Sequence, residues 1–179
     1  MSGRRGATGV GAVVVLIATG AWAMRPENAD RRLWGEVRPV IEARLAAESR
    51  GSGYGETVPA LDARWFCRAE AFDLEERGDD VRARVNTLCV EYGVRDGSLV
   101  ECSAGQGPQV VRLERDADGG YRVVSREEAP DGEGYARWTR AHFGYFAGYT
   151  LEKPMSSDSL ERAARAHFGL PAHAPVRDC

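Results

Sequence analysis

The sequence predicts an α+β protein: an N-terminal membrane helix, then a helix packed on a curved antiparallel meander of about four strands, then C-terminal helices. Three patterns carry this expectation. An uncharged run from Gly6 to Met24 follows Arg4 and Arg5. Apolar residues recur at helical spacing before Gly51 and again after Gly132. Between those stretches the period drops to two, punctuated by turn dipeptides. With hairpins in place of long crossovers, strands pair with their sequence neighbours and the helices cover one face of the sheet.

The first element is the run from Gly6 to Met24, whose densest part is Val13-Val14-Val15-Leu16-Ile17. It matches the roughly 17–25 residues that span a bilayer as a helix. Arg4 and Arg5 favour a cytoplasmic N-terminus, which gives a single-pass cell-membrane protein with its domain outside. The same order of charges, apolar run and Ala21-Trp22-Ala23 also fits a signal peptide, cleaved after Ala23 to release a secreted protein. Both readings export the chain. The organisation is then a cytoplasmic segment over 1–5, the membrane or signal segment over 6–24, a linker over 25–30, one α+β domain over 31–170 and a flexible tail over 171–179.

Asp30 is a plausible N-cap for a helix running to Ser49 and stopped by Gly51. Its stripe is Trp34, Val37, Ile41 and Leu45, and Pro39 either kinks the helix or starts it. From Arg64 alternation begins, with Trp65, Cys67, Ala69 and Ala71 on one face and Phe66, Phe72 and Leu74 on the other. Arg77-Gly78-Asp79 turns the chain into a strand over Val81–Gly93. Asp96-Gly97 suits a tight hairpin in which both central residues take positive φ. The third strand starts at Leu99–Cys102, Gly105–Pro108 marks a bend or bulge, and a last hairpin joins Val110–Glu114 to Tyr121–Ser125. After Pro130-Asp131-Gly132 a helical stripe of Tyr135, Trp138, Thr139, His142 and Phe143 resumes. A final helix is capped by Ser157 or Asp158, with Glu161 in a capping box, and ends at Gly169 and Pro171.

Four stretches form a recurrent arrangement: GVRDGSLVECSAG, PQVVRLERDADGGYRVV, EEAPDGEGYARWTRAHF and ERAARAHFG. This resembles a group of small bacterial exported or membrane-anchored domains of unknown function with a cystatin-like or NTF2-like fold. The resemblance covers about the last 120 residues of the chain. It implies a fold and a location, and it supplies no catalytic residues. The three cysteines in the sheet region depart from that pattern.

Composition narrows the function classes. The formal net charge is −3 and the charges are interleaved, which excludes the clustered basic face of a nucleic-acid binder. Lys153 is the only lysine among 24 basic residues, as GC-rich coding DNA would give. Cys67, Cys89, Cys102 and Cys179 all follow the export segment, where oxidation is permitted. A hairpin closed on Arg77-Gly78-Asp79 sets Cys67 opposite Cys89. A hairpin closed on Asp96-Gly97 sets Cys102 diagonal to Cys89. The candidates for a disulfide are therefore Cys67, Cys89 and Cys102, as Cys67–Cys89 or Cys89–Cys102, with buried free thiols as the third option. There is no C-x-x-C and no zinc-helix histidine pair among His142, His167 and His173, so neither a metal nor a cofactor is expected. Asp116-Ala117-Asp118-Gly119 lacks the later ligands of a calcium loop and reads as a turn. No serine sits in a nucleophile elbow.

These observations favour a non-catalytic, membrane-tethered extracytoplasmic domain that binds an envelope protein or other partner. The alternative is a small NTF2-like pocket enzyme or ligand binder, using a strand carboxylate (Glu70, Glu91 or Glu101) with Tyr92 for proton transfer. The two separate on whether an acid and a tyrosine line an open cavity, or whether Trp34, Trp65 and Phe143 fill the cone.

Overall fold

The computed structural model describes residues 28–145 and 147–179, so the run from Gly6 to Met24 lies outside the described residues. No helix among the described residues is long and apolar enough to cross a membrane.

Helix α1 spans Asn28–Glu48, so Asp30 lies within its first turn rather than capping it. Leu33, Val37, Ile41 and Leu45 recur every four residues, and each is at least 94% buried. Trp34 and Val40 flank this stripe. The helix continues through Pro39. The proline has no N–H for the carbonyl of Gly35, but both residues are exposed and water can satisfy that oxygen.

Four strands form an antiparallel meander in sequence order: β1 Arg64–Arg77, β2 Asp80–Arg95, β3 Ser98–Arg115 and β4 Tyr121–Glu128. A fifth strand, β5 Val176–Asp178, pairs in parallel with the first part of β3. The sheet is therefore mixed, where a wholly antiparallel one was expected, and the tail expected to lack regular structure supplies its fifth strand. The expected bend at Gly105–Pro108 does not break β3, because these residues stay in register with Cys89 through Asn86 of β2.

Two irregularities set the register. The β1–β2 turn pairs Arg77 with Asp80, and a bulge between Ala71 and Asp73 absorbs a one-residue offset, so Cys67 faces Cys89. The same bulge reverses the alternation beyond it. Leu74, expected on the face of Phe66, instead joins the cluster under α1, while Phe72 packs edge-on against Phe143. At the β2–β3 turn Asp96 and Gly97 both have positive φ, 49° and 70°. A second bulge follows at Cys102, since Tyr92 pairs with Glu101 and Glu91 with Ser103.

Helices cover both faces of the sheet, not one. The first face carries α1 over Ala69, Val81, Ala83, Val85, Val111, Leu113 and Tyr121. The opposite face carries α2 Tyr135–Phe143, α3 Ala147–Leu151 and α4 Asp158–His167. There Leu160 and Ala164 of α4 pack on Leu88, Val90, Tyr92 and Leu99, and Phe143, Ala147 and Leu151 pack on Val110. The reason lies in β2: its first set of alternate side chains is apolar from Val81 to Val85, and its second, after Arg82, Arg84 and Asn86, turns apolar at Leu88, Val90 and Tyr92, so both faces need a cover. Helix α4 ends where expected, at Gly169 with φ 66° and the Leu170 N–H donating to Arg165 O at 2.8 Å. Its expected capping box does not form; the Ser157 hydroxyl meets the Glu161 carboxylate instead, at 3.0 Å.

All four cysteines are paired. Cys67 joins Cys89 as the first expectation had it, and Cys102 joins Cys179 rather than Cys89. The bulge explains the second pairing. It gives Cys89 the partner Gly105 on β3 and moves Cys102 away along the strand, while the parallel register of Glu101 with Asp178 brings Cys179 alongside Cys102.

Candidate functional site

Helix α1 is shorter than β3 and leaves the first sheet face uncovered past its last turn, around Gly105 and Gly107. The floor there is bare, because Gly105 and Gly107 contribute no side chains. The result is an open groove of about 420 Å³ on the first face of the sheet. Its walls include Leu45 and Glu48 from the end of α1, Trp65 from β1, Arg126 and Glu128 from the end of β4, and Tyr135 from the start of α2.

A continuous hydrogen-bond network runs along the groove. Arg126 donates from Nε to Glu48 Oε2 at 2.8 Å and from Nη1 to Gln109 Oε1 at 3.0 Å, and it also pairs with Glu128. Gln109 Nε2 donates to Thr87 Oγ1 at 3.1 Å and to Glu128 Oε1 at 3.3 Å, and the Thr87 hydroxyl donates to Gly107 O at 2.9 Å. Thr87 and Gln109 are buried, so each needs these partners. Three carboxylates, Glu48, Glu128 and Asp131, line the groove with Arg126, and Arg44 holds the other oxygen of Glu48 from outside it, so one carboxylate is in excess and the groove is weakly acidic.

Sequence reasoning missed this group. A signal for it was present: Thr87 and Gln109 are the polar members of the otherwise apolar sets Val81-Ala83-Val85-Thr87 and Gln109-Val111-Leu113. An amide and a hydroxyl on a buried face mark a place where something polar must meet them.

The residues singled out for proton transfer lie elsewhere and are divided between the faces. Glu91 is fully buried on the first face. Its Oε2 accepts the Gly55 N–H at 2.9 Å and its Oε1 accepts the Glu56 N–H at 2.7 Å. The carboxylate thus holds the 3₁₀ turn Gly55–Thr57, whose loop packs so closely that a Cβ at Gly53 would sit 2.3 Å from Glu91 Cδ. Glu56 is engaged in turn, accepting from Gly51 N, Gly53 N and Trp65 Nε1, which orients the Trp65 ring beside the groove.

Tyr92 points to the opposite face and is fully buried. Its hydroxyl faces Glu101, Ser157 and Glu161 but makes no hydrogen bond of normal geometry. Burial foremost, then the nearby Glu101 and Glu161 charges, hold the phenol well above its ordinary range. Glu70 is exposed and pairs with Arg68. Trp34 and Phe143 pack in the two cores, and Trp65 borders the groove without filling it.

The histidines are dispersed. His142 stacks on Trp138 and lies 3.5 Å from Glu127, and His167 packs edge-on against Phe66. Asp116 accepts the Asp118 and Gly120 N–H groups within the β3–β4 turn. Among the described residues no three His, Cys, Asp or Glu side chains converge to hold a metal ion. No family model matches the chain, and neither does any curated protein or solved structure with which it was compared.

Proposed function

We propose that this chain is a membrane-tethered extracytoplasmic domain that binds an envelope protein and catalyses no reaction. The observation that carries the proposal is the pairing of every cysteine in two disulfides, one joining β1 to β2 and the other joining β3 to the residue just after β5. Stable cross-links of this kind belong to an oxidising compartment, and the run from Gly6 to Met24 offers the route there. The absence of a reaction is argued from the acids and the tyrosine: Glu91 is committed to two backbone N–H groups, and Tyr92 is sealed beneath α4 on the other face. Tyr92 and Glu101 are register partners, but no substrate reaches a phenol with no exposed surface.

Fractionation, thiol trapping and N-terminal sequencing of the full chain in its native host test the location. The expected result is oxidised protein in the membrane fraction with its N-terminus intact. A mature start at Met24 would replace the tether with secretion, and reduced protein in the cytosol would overturn export. Crosslinking of intact cells followed by purification tests the partner. A reproducible envelope-protein adduct is expected, and an uncrosslinked monomer in every condition counts against the binding role.

A further inference from the structure

Among the described residues one stretch of sheet edge is left without a cover. β4 pairs with β3 from Gln109 onward and β5 pairs with it only as far as Glu101. The last bonds on either side are Ala129 N to Pro108 O and Cys179 N to Glu101 O. Among the described residues no backbone pairs with Cys102–Gly107 on the side away from β2. At 3.3 Å per residue this opening is about 20 Å long, enough for a short strand.

The other edges are guarded in the ways that block strand addition. β1 carries the bulge at Phe72, and its Ala69 N–H is already taken by Glu42 Oε1 of α1 at 3.0 Å. β4 is short and bears Arg122, Arg126, Glu127 and Glu128. The open stretch reads Cys-Ser-Ala-Gly-Gln-Gly, without a charge, and Ala104, Gly105 and Gln106 are exposed. On its second face Gln106 fastens the Leu151–Met155 loop through Lys153 O and Met155 N, both at 2.8 Å. On its first face it borders the acidic groove.

We infer that Ala104–Gly107 receives an extended segment of a partner protein as an added strand, with an arginine or lysine of that segment lying in the groove. Main-chain pairing supplies affinity, and the side chain that alternates toward the groove supplies selectivity. Trp65 and Tyr135 offer aromatic walls for a cationic side chain, and its counter-charge comes from Asp131 and the outer oxygen of Glu128, since Glu48 is already held between Arg126 and Arg44. This rests on the proposed binding role and names the site and the partner's chemistry.

The test selects random linear octapeptides on phage against the oxidised full chain, then measures amide exchange with the enriched peptides bound. Expected are peptides with a central arginine or lysine, affinities tighter than about 100 µM, and slowed exchange at Ala104–Gly107. N-methylation of alternate peptide amides should abolish binding. Glu128→Arg, at an exposed position, should weaken a basic peptide about tenfold or more, and changing the peptide's basic residue to glutamate should restore it. Peptides that protect a different surface would overturn the edge assignment and leave a binding domain standing. Protection of the same amides by self-association, without peptide, would replace the partner with a second copy. A library that yields no binder would also overturn the inference, whereas the binding role itself stands or falls on the crosslinked adduct.

Discussion

Replacing Glu91 with alanine tests the claim that this carboxylate is a structural anchor and not a general base. Two buried N–H groups, of Gly55 and Glu56, donate to it at 2.9 and 2.7 Å. A hydrogen bond to a charged group contributes about 1.5–3 kcal/mol, so losing both costs about 3–6 kcal/mol if the loop stays in place. Swinging the loop into water would satisfy the freed donors and lower that figure, at the expense of Glu56 and its bond to the Trp65 indole. Either route leaves a signature. Urea unfolding followed by tryptophan fluorescence should show a stability loss of at least about 2 kcal/mol, and hydrogen exchange should show Gly55 and Glu56 losing protection. Gly53→Ala sharpens the test, because its new Cβ collides with the same carboxylate. Alone it should cost about 1–3 kcal/mol by overpacking. Combined with Glu91→Ala it should add almost nothing, a coupling that only a shared contact produces. Unchanged stability and unchanged protection in Glu91→Ala would refute the anchor.

The disulfides should differ in worth. Their cysteines are 77 and 22 residues apart, so loop entropy assigns about 4.5 kcal/mol to Cys102–Cys179 and about 3.4 kcal/mol to Cys67–Cys89. The loops do not overlap, so serine pairs at both should add in denaturant melts, and a reversed order would count against the entropic account. Tyr92→Phe removes a buried hydroxyl without a partner and should leave neutral-pH stability equal or about 1 kcal/mol higher. The phenol's pKa is raised in the folded state, so the wild type keeps its full contribution below about pH 10, where unfolded tyrosine begins to ionise, and loses up to about 1.4 kcal/mol per pH unit above it. Tyr92→Phe should flatten that slope, and Tyr121, also raised by burial, should account for what remains. Gln109→Leu removes the amide that Arg126 donates to and that donates to Thr87 and Glu128, and should cost about 1–3 kcal/mol in the same melts.

How much of this was legible follows from which signals are local. The α1 stripe, the Asp96-Gly97 turn, the Gly169 stop and the Cys67–Cys89 pair were readable because each depends on residues within one element or one hairpin. The placement of helices on both sheet faces depends on β2, whose second apolar set (Leu88, Val90, Tyr92) marks a strand in the sequence without saying which distant helix covers it. β5 has three residues and no periodicity, and it exists because a parallel register on β3 and a disulfide hold it there. The groove escaped for a related reason. Its members come from α1, β2, β3 and β4, and only the polar interruptions at Thr87 and Gln109 betray it in one dimension.

The bulge at Cys102 ties these long-range features together. Without it the hairpin register would run straight from Asp96-Gly97, Cys102 would sit opposite Glu91, and Cys89 would be its diagonal neighbour. The extra residue hands the place opposite Glu91 to Ser103, whose hydroxyl then accepts the Tyr54 N–H at 3.0 Å and helps seat the loop that Glu91 holds. It also leaves Cys102 beside Cys179, so the cross-link closes at the point where β5 stops. Bulges commonly end pairing and redirect side chains next to functional sites. Here the disulfide sits beside Glu101, the last β3 residue paired with β5, and among the described residues Gly105 and Gly107 further along β3 have no strand partner on that side. Deleting one residue at this bulge should therefore do more than strain the sheet: it should favour a Cys89–Cys102 link, leave Cys67 and Cys179 unpaired and free β5. Peptide mapping of the oxidised deletion variant reads that directly, and retention of both native links would show that the bulge does not govern the pairing.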